Sequence, residues 1–303
     1  MYSFLKLLSN RNSILIFSVI LGLTIGDLAH YIKGYTIFIL ALVMMFSTTG
    51  IDIRSVFPLK NSLKIMLSAI TLNYLVGTAV IMILSLLFIK DTFLLYGMVV
   101  IGASPPGIAV IPFSLILKGD LTYSIIGTLG TYLSAVIIAP LIILIFTSGN
   151  IGAFPIFLMM VKIIIIPIML SRLLRIKMIY PIVEKIRGRA IDIGFAFIIF
   201  IAVGLNRRVF FSDMNALILI SSILLLATFG LGFFFMRVSG RYFGNKKENI
   251  SQMLLLTIKS SGFTAATSLA LFGERAAIPS AIMSVVILVY LLFLSIRNDI
   301  KSQ

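Results

Sequence analysis

The chain has 303 residues, of which 60% are hydrophobic and only 12% are charged, about half the charged fraction of a soluble domain. Basic residues outnumber acidic ones by 25 to 10, but they form short clusters between apolar runs, which is typical of membrane-protein loops rather than of a nucleic-acid-binding surface. The absence of cysteine and the single histidine, His30, exclude thiolate and histidine-cluster metal sites. The sequence therefore predicts a protein of the lipid bilayer, with no cofactor, no metal site and no nucleic-acid partner.

About ten apolar segments are long enough to cross a bilayer as α-helices, each of which needs about 20 apolar residues. We read the first as a retained helix rather than a signal peptide. No connection is long enough for a soluble domain, so residues 1–303 are predicted to form a single all-α transmembrane domain. The predicted spans are Ile14–Ile32, Tyr35–Ile51, Leu63–Ile89, Phe93–Leu117, Tyr123–Phe146, Phe154–Leu174, Ile191–Phe210, Asn215–Met236, Ile250–Leu271 and Ala277–Ile296.

The connections between these spans differ strongly in charge. Eighteen Lys and Arg residues fall on one side and five on the other, which predicts a cell-membrane protein with both termini in the cytoplasm. The five on the outer side are Lys33, Lys90, Arg207, Arg208 and Arg275. The stretch from Arg172 to Arg189 alternates apolar and basic residues, so we expect an amphipathic helix along the cytoplasmic interface.

Two spans are interrupted at matching places. The fourth contains Gly102-Ala103-Ser104-Pro105-Pro106-Gly107, whose consecutive prolines force the helix open. The ninth contains Lys259-Ser260-Ser261-Gly262, whose small and hydroxyl residues allow the backbone to unwind. Gly107 and Gly262 lie 155 residues apart, in halves of five spans that cover about 14–146 and 154–296. Broken helices at corresponding positions of inverted repeats indicate a transporter site at the membrane midplane; two unrelated kinks are the alternative.

Two lysines lie deep inside predicted spans, where a charge normally faces a cavity or a partner. Lys259, at the break of the ninth span, is expected either to act as a built-in cation or to gain and lose a proton during transport. The alternative is that it binds a carbonyl or reaches toward the membrane surface. Lys162 is a candidate contact for an anionic substrate. Ser124 and Thr128 share one helix face, four residues apart, after the first broken helix.

Several motifs follow one another along the chain: Met45-Phe46-Ser47-Thr48-Thr49-Gly50-Ile51, Ala103-Ser104-Pro105-Pro106-Gly107-Ile108-Ala109, Lys118-Gly119-Asp120, Ser260-Ser261-Gly262, and Ala276-Ala277-Ile278-Pro279 with Ser284. In their order and spacing they resemble the bile acid/sodium symporter family over essentially the whole chain. The resemblance implies a panel domain of helices one, two, six and seven. It also implies a core domain of the remaining helices, in which the broken fourth and ninth helices cross and which moves against the panel.

The resemblance also implies ion-binding positions, and here the chain departs from the family. Three of these positions keep polar side chains, namely Asn73, Ser124 and Thr128. A Ser-Asn pair of the family is replaced by Val110 and Ile111, and a glutamate and a glutamine are replaced by Leu255 and Lys259. Because the carboxylate is lost and an ammonium lies nearby, sodium is not expected to bind. We expect Lys259 to take its place, with transport coupled to protons or uncoupled.

The predicted function is secondary active transport of a small, carboxylate-type organic anion. The predicted site comprises the two breaks and the polar residues near them, namely Asn73, Pro105, Pro106, Gly107, Ser124, Thr128, Lys162, Lys259, Ser260, Ser261, Gly262 and Thr264. Four alternatives stay open: a sodium-dependent symporter of organic anions, a relative of arsenite permeases, an intramembrane enzyme, and a membrane sensor or scaffold that does not transport. The absent cysteine counts against the permease, and the absence of a visible buried nucleophile–base pair, metal-ligand set or carboxylate pair counts against the enzyme.

Overall fold

The computed structural model describes residues 11–50, 59–107, 109–147, 153–207, 213–242 and 245–302, and in these ranges the chain is helical apart from turns and one isolated β-bridge. Seven helices within the described ranges are long and apolar enough to cross a membrane. Helices are expected here because a backbone in lipid must satisfy its hydrogen bonds internally. The protein is therefore an all-helical, polytopic membrane protein. Residues named above that lie outside the described ranges are Ile51, Ile108, Arg208 and Phe210.

The helices are numbered α1 to α10 in chain order. Three of them contain a π-helical stretch: Thr71–Gly77 in α3, Val161–Ile165 in α6 and Leu226–Gly230 in α8. The fourth and ninth are each divided into two segments. Their bounds are α1 Arg11–Ile25, α2 Thr36–Thr49, α3 59–88, α4a Thr92–Ala103, α4b Val110–Ile116, α5 Leu121–Phe146, α6 153–173, α7 Tyr180–Leu205, α8 214–242, α9a Lys246–Thr257, α9b Ser261–Phe272 and α10 Ile278–Ser302.

The first two predicted spans form a hairpin. Short helical turns join α1 to α2, so that 13–49 is helical almost without interruption. The direction of the chain follows from contacts with α7: Gly22 packs against Val203 and Gly26 against Gly204, whereas Gly194 packs against Val43. Thus α1 runs along α7 in the same direction and α2 returns in the opposite one. The close approach at Gly26 requires glycine, because a Cβ there would lie 2.7 Å from the Cα of Gly204.

The prediction of an amphipathic surface helix at Arg172–Arg189 is wrong. Helix α6 ends at Leu173, turns follow, and α7 begins at Tyr180 and continues to Leu205 as one helix of 26 residues. The basic residues at 185–189 therefore lie on the first part of a long helix rather than on a separate one. The pattern misled because exposed basic residues at a helix end and along a surface helix look alike in sequence.

The helices pack in two groups. In the first group, α7 packs against α1 and α2, and α6 packs against α2. In the second, α5 packs against α3 and α4a, α8 packs against α9a, and α10 packs against α9b and α4a. The groups meet where α7 contacts α9b and α10 and where α6 contacts α5. The first group contains the helices that the resemblance assigns to a panel, and the second contains those that it assigns to a core; we use these two names for the groups below.

Candidate functional site

The two broken helices cross at their breaks. The N–H of Gly107 donates to the carbonyl of Ile258 at 2.9 Å, and the N–H of Ser260 donates to the carbonyl of Pro105 at 3.0 Å. These bonds satisfy main-chain groups that the breaks remove from helical pairing. The predicted interruptions in the fourth and ninth helices are therefore confirmed, and the structure brings the two breaks together.

The crossing leaves little room for a side chain at Gly107. Pro106 and Lys259 form an isolated antiparallel bridge. A Cβ on Gly107 would lie 3.1 Å from the carbonyl oxygen of Lys259 and 3.2 Å from the side chain of Ile258. Both neighbours are held by the bridge, so they have little room to retreat. Gly107 therefore permits the close approach of the two backbone segments at the breaks of α4 and α9.

Lys259 is buried at this crossing, with 3% of its surface exposed. Its ammonium donates three hydrogen bonds, all to main-chain carbonyls: Asn73 at 3.0 Å, Gly102 at 3.1 Å and Ser104 at 3.3 Å. The ammonium also lies 5.5 Å from the centre of the Tyr74 ring, within range of a cation–π contact. Two of the three carbonyls are at the C-terminal end of α4a, which carries the negative end of the helix dipole. The positive charge of the Lys259 ammonium is thus balanced by the dipoles of these carbonyls and of α4a.

Each of these three carbonyls also has a second donor. The Thr78 hydroxyl donates to Gly102 at 2.7 Å, the backbone N–H of Thr78 donates to Asn73, and the Asn73 amide donates to Ser104 at 3.2 Å. Asn73 lies in the π-helical stretch of α3, a distortion that is frequent at functional sites. Its side-chain oxygen is buried and has no hydrogen-bond partner among the described residues.

A narrow cleft with a free volume of about 50 Å³ opens beside the crossing, between the two groups of helices. Its walls are mostly apolar and include Phe113 of α4b, Phe195 of α7 and Leu288 of α10. Its polar lining comes from Lys259 and from three serines, Ser260, Ser261 and Ser284. An apolar cleft with a few converging polar groups is the usual form of a small-molecule site.

The N-terminus of α9b faces this cleft. The first helical bond of α9b runs from the N–H of Thr264 to the carbonyl of Ser260 at 3.0 Å, so the N–H groups at positions 261–263 have no partner inside the helix. Ser260 is 3% exposed and its hydroxyl does not cap the helix. Unpaired N–H groups at the positive end of a helix, next to serine hydroxyls, favour an anion.

Gly262 allows this N-terminus to pack closely against α7. A Cβ at Gly262 would lie 2.8 Å from the ring of Phe195, so the absence of a side chain lets α9b approach α7. The Thr264 hydroxyl donates to the carbonyl of Ser261 at 2.9 Å and is buried. Thr264 therefore belongs to the first turn of the helix and does not line the cleft.

The remaining predicted residues lie away from the cleft. Ser124 and Thr128 are fully buried on α5, and their hydroxyls have no hydrogen-bond partner among the described residues. Between them, Gly127 packs against the side chain of Leu255. Lys162 is exposed in the π-helical stretch of α6 and does not line the cleft. Its predicted contact with an anionic substrate therefore finds no support in its placement.

An ion pair that the sequence did not suggest joins the two helix groups at the end that the charge bias predicts to face outward. Lys33, in the turn between α1 and α2, lies with its Nζ 2.6 Å from the carboxylate of Glu274, in the turn before α10. The imidazole of His30 lies 3.8 Å from the same carboxylate. Lys33 and Glu274 are 241 residues apart, so no local pattern in the sequence marks the pair.

A second ion pair at this end lies within the core group. Arg275 donates to Asp91 at 2.6 Å, and Asp91 caps α4a by accepting from the N–H of Leu94 at 2.9 Å. The hydrogen bond from the Arg275 guanidinium lowers the pKa of the Asp91 carboxyl below its usual value. This pair serves as an internal reference for the Lys33 pair, because it does not connect the two groups.

The described residues contain no group of three or more His, Asp or Glu side chains suited to hold a metal ion. No curated protein matches the chain. A family model described as the Sodium Bile acid symporter family matches residues 36–213, which is more than half of the chain. The matched segment contains α2 to α7, and so includes the first broken helix and most of the panel. On this match, the chain belongs to the sodium bile acid symporter family, a family of membrane transporters.

Proposed function

We propose that the chain is a secondary active transporter of a small organic anion of the carboxylate class, with ten membrane passes in two inverted repeats. The N-terminus of α9b at the cleft, with the hydroxyls of Ser260 and Ser261, is the observation that carries the proposal. A carboxylate there meets free N–H groups and the positive end of a helix dipole. Half-helix N-termini facing a substrate anion are typical of transporters with broken helices.

Two structural spacings support the inverted repeats. The π-helical stretches of α3 and α8 begin at Thr71 and Leu226, which are 155 residues apart. The same distance separates Gly107 from Gly262, the glycines at the two breaks. Two independent kinks would have no reason to share a spacing with two helix distortions. The third and eighth helices, like the fourth and ninth, are equivalent positions in halves of five helices.

The ammonium of Lys259 takes the role of a bound cation in the proposed mechanism. It neutralises the carbonyls that end α4a, a position where a transporter with a mobile coupling ion places that ion. Leu255 is fully buried, and near the hydroxyls of Ser124 and Thr128 on α5 it places a hydrocarbon side chain, which cannot coordinate sodium as an oxygen would. Coupling to sodium through these groups is therefore disfavoured, and transport is uncoupled or coupled to protons.

The proposed conformation has its cleft open to the cytoplasm. The cleft is lined by Phe113, beyond the break of α4, and by Leu291, just past the middle of α10. Both segments run toward the side with the basic connections, which is the predicted cytoplasmic side. At the opposite end, Lys33 and Glu274 hold the two helix groups together. Opening of the outer end requires that this pair separate, which gives alternating access around the crossing.

The proposal is tested by flux of radiolabelled carboxylates into proteoliposomes with imposed proton and sodium gradients. We expect uptake by the wild-type protein that is insensitive to the sodium gradient. Lys259→Met should lower it more than about tenfold, the equivalent of one charge-assisted hydrogen bond. Lys162→Met is the matched control, because that lysine lies in a predicted span but away from the cleft, and should transport normally.

Two results would replace the proposal by one of its alternatives. Uptake that follows the sodium gradient and survives in Lys259→Met would identify a sodium-dependent symporter and remove the role of the ammonium. Thermal stabilisation by carboxylates without any flux would indicate a sensor or scaffold.

A further inference from the structure

A second hollow lies on the outside of the panel, between α1 and α7, apart from the cleft. Its free volume is about 290 Å³. Among the described residues its lining is apolar except for Ser18, whose hydroxyl donates to the carbonyl of Leu15 at 2.7 Å. We call it the α1–α7 groove; its lining includes Ile14, Leu21 and Ile25 of α1 and Ile193, Phe197 and Phe200 of α7.

The groove has the length of one lipid leaflet. Ile14 and Ile25 lie at its two ends on α1 and are eleven residues apart, about 16 Å along a helix. The hydrocarbon core of a bilayer is about 30 Å thick, so one leaflet is about 15 Å deep. A single acyl chain thus matches the groove in length and in polarity, whereas a whole transmembrane helix from another protein would extend well beyond it.

Two unpaired cations continue the same face of α7 beyond one end of the groove. Lys185, Arg189 and Ile193 follow one another at four-residue spacing, which places them on one side of the helix. Both basic side chains are exposed, and neither makes an ion pair in the described part of the chain. Arg187, on another face, is already paired with Glu184 at 3.0 Å.

These charges lie at the cytoplasmic end of the groove. Because α1 and α7 run in the same direction, the first residues of both helices are at the same end of the groove, and α1 begins at Arg11. Arg189 lies four residues before Ile193, about 6 Å below the last apolar residue. That is the level at which the phosphate of a lipid would lie if its acyl chain filled the groove.

We infer that the α1–α7 groove binds an anionic phospholipid of the cytoplasmic leaflet, with an acyl chain between the helices and its headgroup at Lys185 and Arg189. A second copy of this chain would place its own cationic cytoplasmic surface against these residues, with repulsion instead of attraction. A zwitterionic lipid fits the apolar slot equally well but gains less from the two cations. This inference does not depend on which substrate the cleft carries.

The test compares retention of phosphatidylglycerol and of phosphatidylcholine with the same acyl chains, by native mass spectrometry of the full-length protein in detergent. We expect selective retention of phosphatidylglycerol by the wild type. In the double variant Lys185→Ala/Arg189→Ala the retention should be about thirtyfold weaker, since each cation near anionic lipid contributes roughly fivefold. Arg237→Ala/Arg241→Ala is the control, with two exposed arginines at the same spacing at the cytoplasmic end of α8.

A third variant tests the acyl-chain part of the groove. Ala196→Trp fills the slot at a lining residue and should weaken retention of both lipids. Unfolding temperatures without added lipid show that the variants are folded. The inference is overturned if the Lys185/Arg189 variant retains phosphatidylglycerol as the wild type does, or if the two lipids are retained equally. It is also overturned if Ala196→Trp converts a dimer to a monomer, which would assign the groove to a second copy of the chain.

Discussion

Reversing the charge of Lys33 should shift the transporter toward its outward-open state. The ion pair with Glu274 has an N–O distance of 2.6 Å, and its side chains are 43% and 40% exposed. A pair exposed to this degree contributes about 0.2–1 kcal/mol. Lys33→Glu removes that contribution and adds a repulsion of similar size, for a total of about 0.4–2 kcal/mol. The ratio of outward to inward states should therefore rise about two- to thirtyfold.

The natural absence of cysteine makes this shift measurable. Ser284→Cys introduces a single thiol into the cleft, and a membrane-impermeant maleimide added outside the cell reports how often the cleft opens outward. We expect the labelling rate to rise in Lys33→Glu and to return in the swap Lys33→Glu/Glu274→Lys. Arg275→Glu is the matched control, because it breaks an outer pair inside the core group and should leave the rate unchanged. Equal labelling of Lys33→Glu and the wild type, or the same rise in Arg275→Glu, would refute the reasoning.

Three further predictions concern stability. Gly107→Ala should lower the unfolding temperature, because the added Cβ would press on the carbonyl of Lys259 at 3.1 Å. Gly188→Ala is the control: it lies in a helix with open space around it and should raise the free energy of unfolding by about 0.5–1 kcal/mol. Equal unfolding temperatures of the two variants would contradict this. The lowered pKa of Asp91 means that its pair with Arg275 stabilises the fold above the usual pKa of a carboxyl and is lost as pH falls through the lowered value. The difference in unfolding temperature between wild type and Asp91→Asn should therefore be largest near neutral pH and vanish in acid; a constant difference would contradict the pairing. Lys259→Met should fold, since each carbonyl partner keeps a second donor, whereas Lys259→Glu should lose folded yield in size-exclusion chromatography, because a carboxylate would face three carbonyl oxygens.

The breaks were predictable from sequence because their cause is local. Consecutive prolines at 105–106 cannot continue a helix, and the small residues around Ser260 mark the second break. The prediction that the two breaks meet rested only on the resemblance and on their symmetric spacing. The membrane architecture likewise follows from long apolar runs, which leave a chain of this composition no other fold.

The sequence analysis gave a carbonyl as the alternative partner of Lys259, but the particular partners were beyond its reach. They are carbonyls, which every residue carries, so no side-chain type at positions 102 and 104 marks them. The orientation of Lys162 was hidden for a different reason: it lies inside a π-helical stretch, where α-helical periodicity does not give the face on which a side chain lies. The Lys33–Glu274 pair depends on how two distant turns meet, which is a property of the packed structure.

The ammonium at the crossing is covalently part of the chain, and this determines the electrical behaviour of the proposed carrier. A diffusible cation would cross the membrane with the anion and be released, whereas a tethered one returns with the empty protein. Each uncoupled turnover thus moves only the charge of the substrate. At 100 mV, negative inside, one elementary charge gains about 2.3 kcal/mol, equivalent to a roughly fiftyfold concentration ratio. A monovalent carboxylate carried without a proton is therefore driven out of the cell, and a proton carried with it removes that drive.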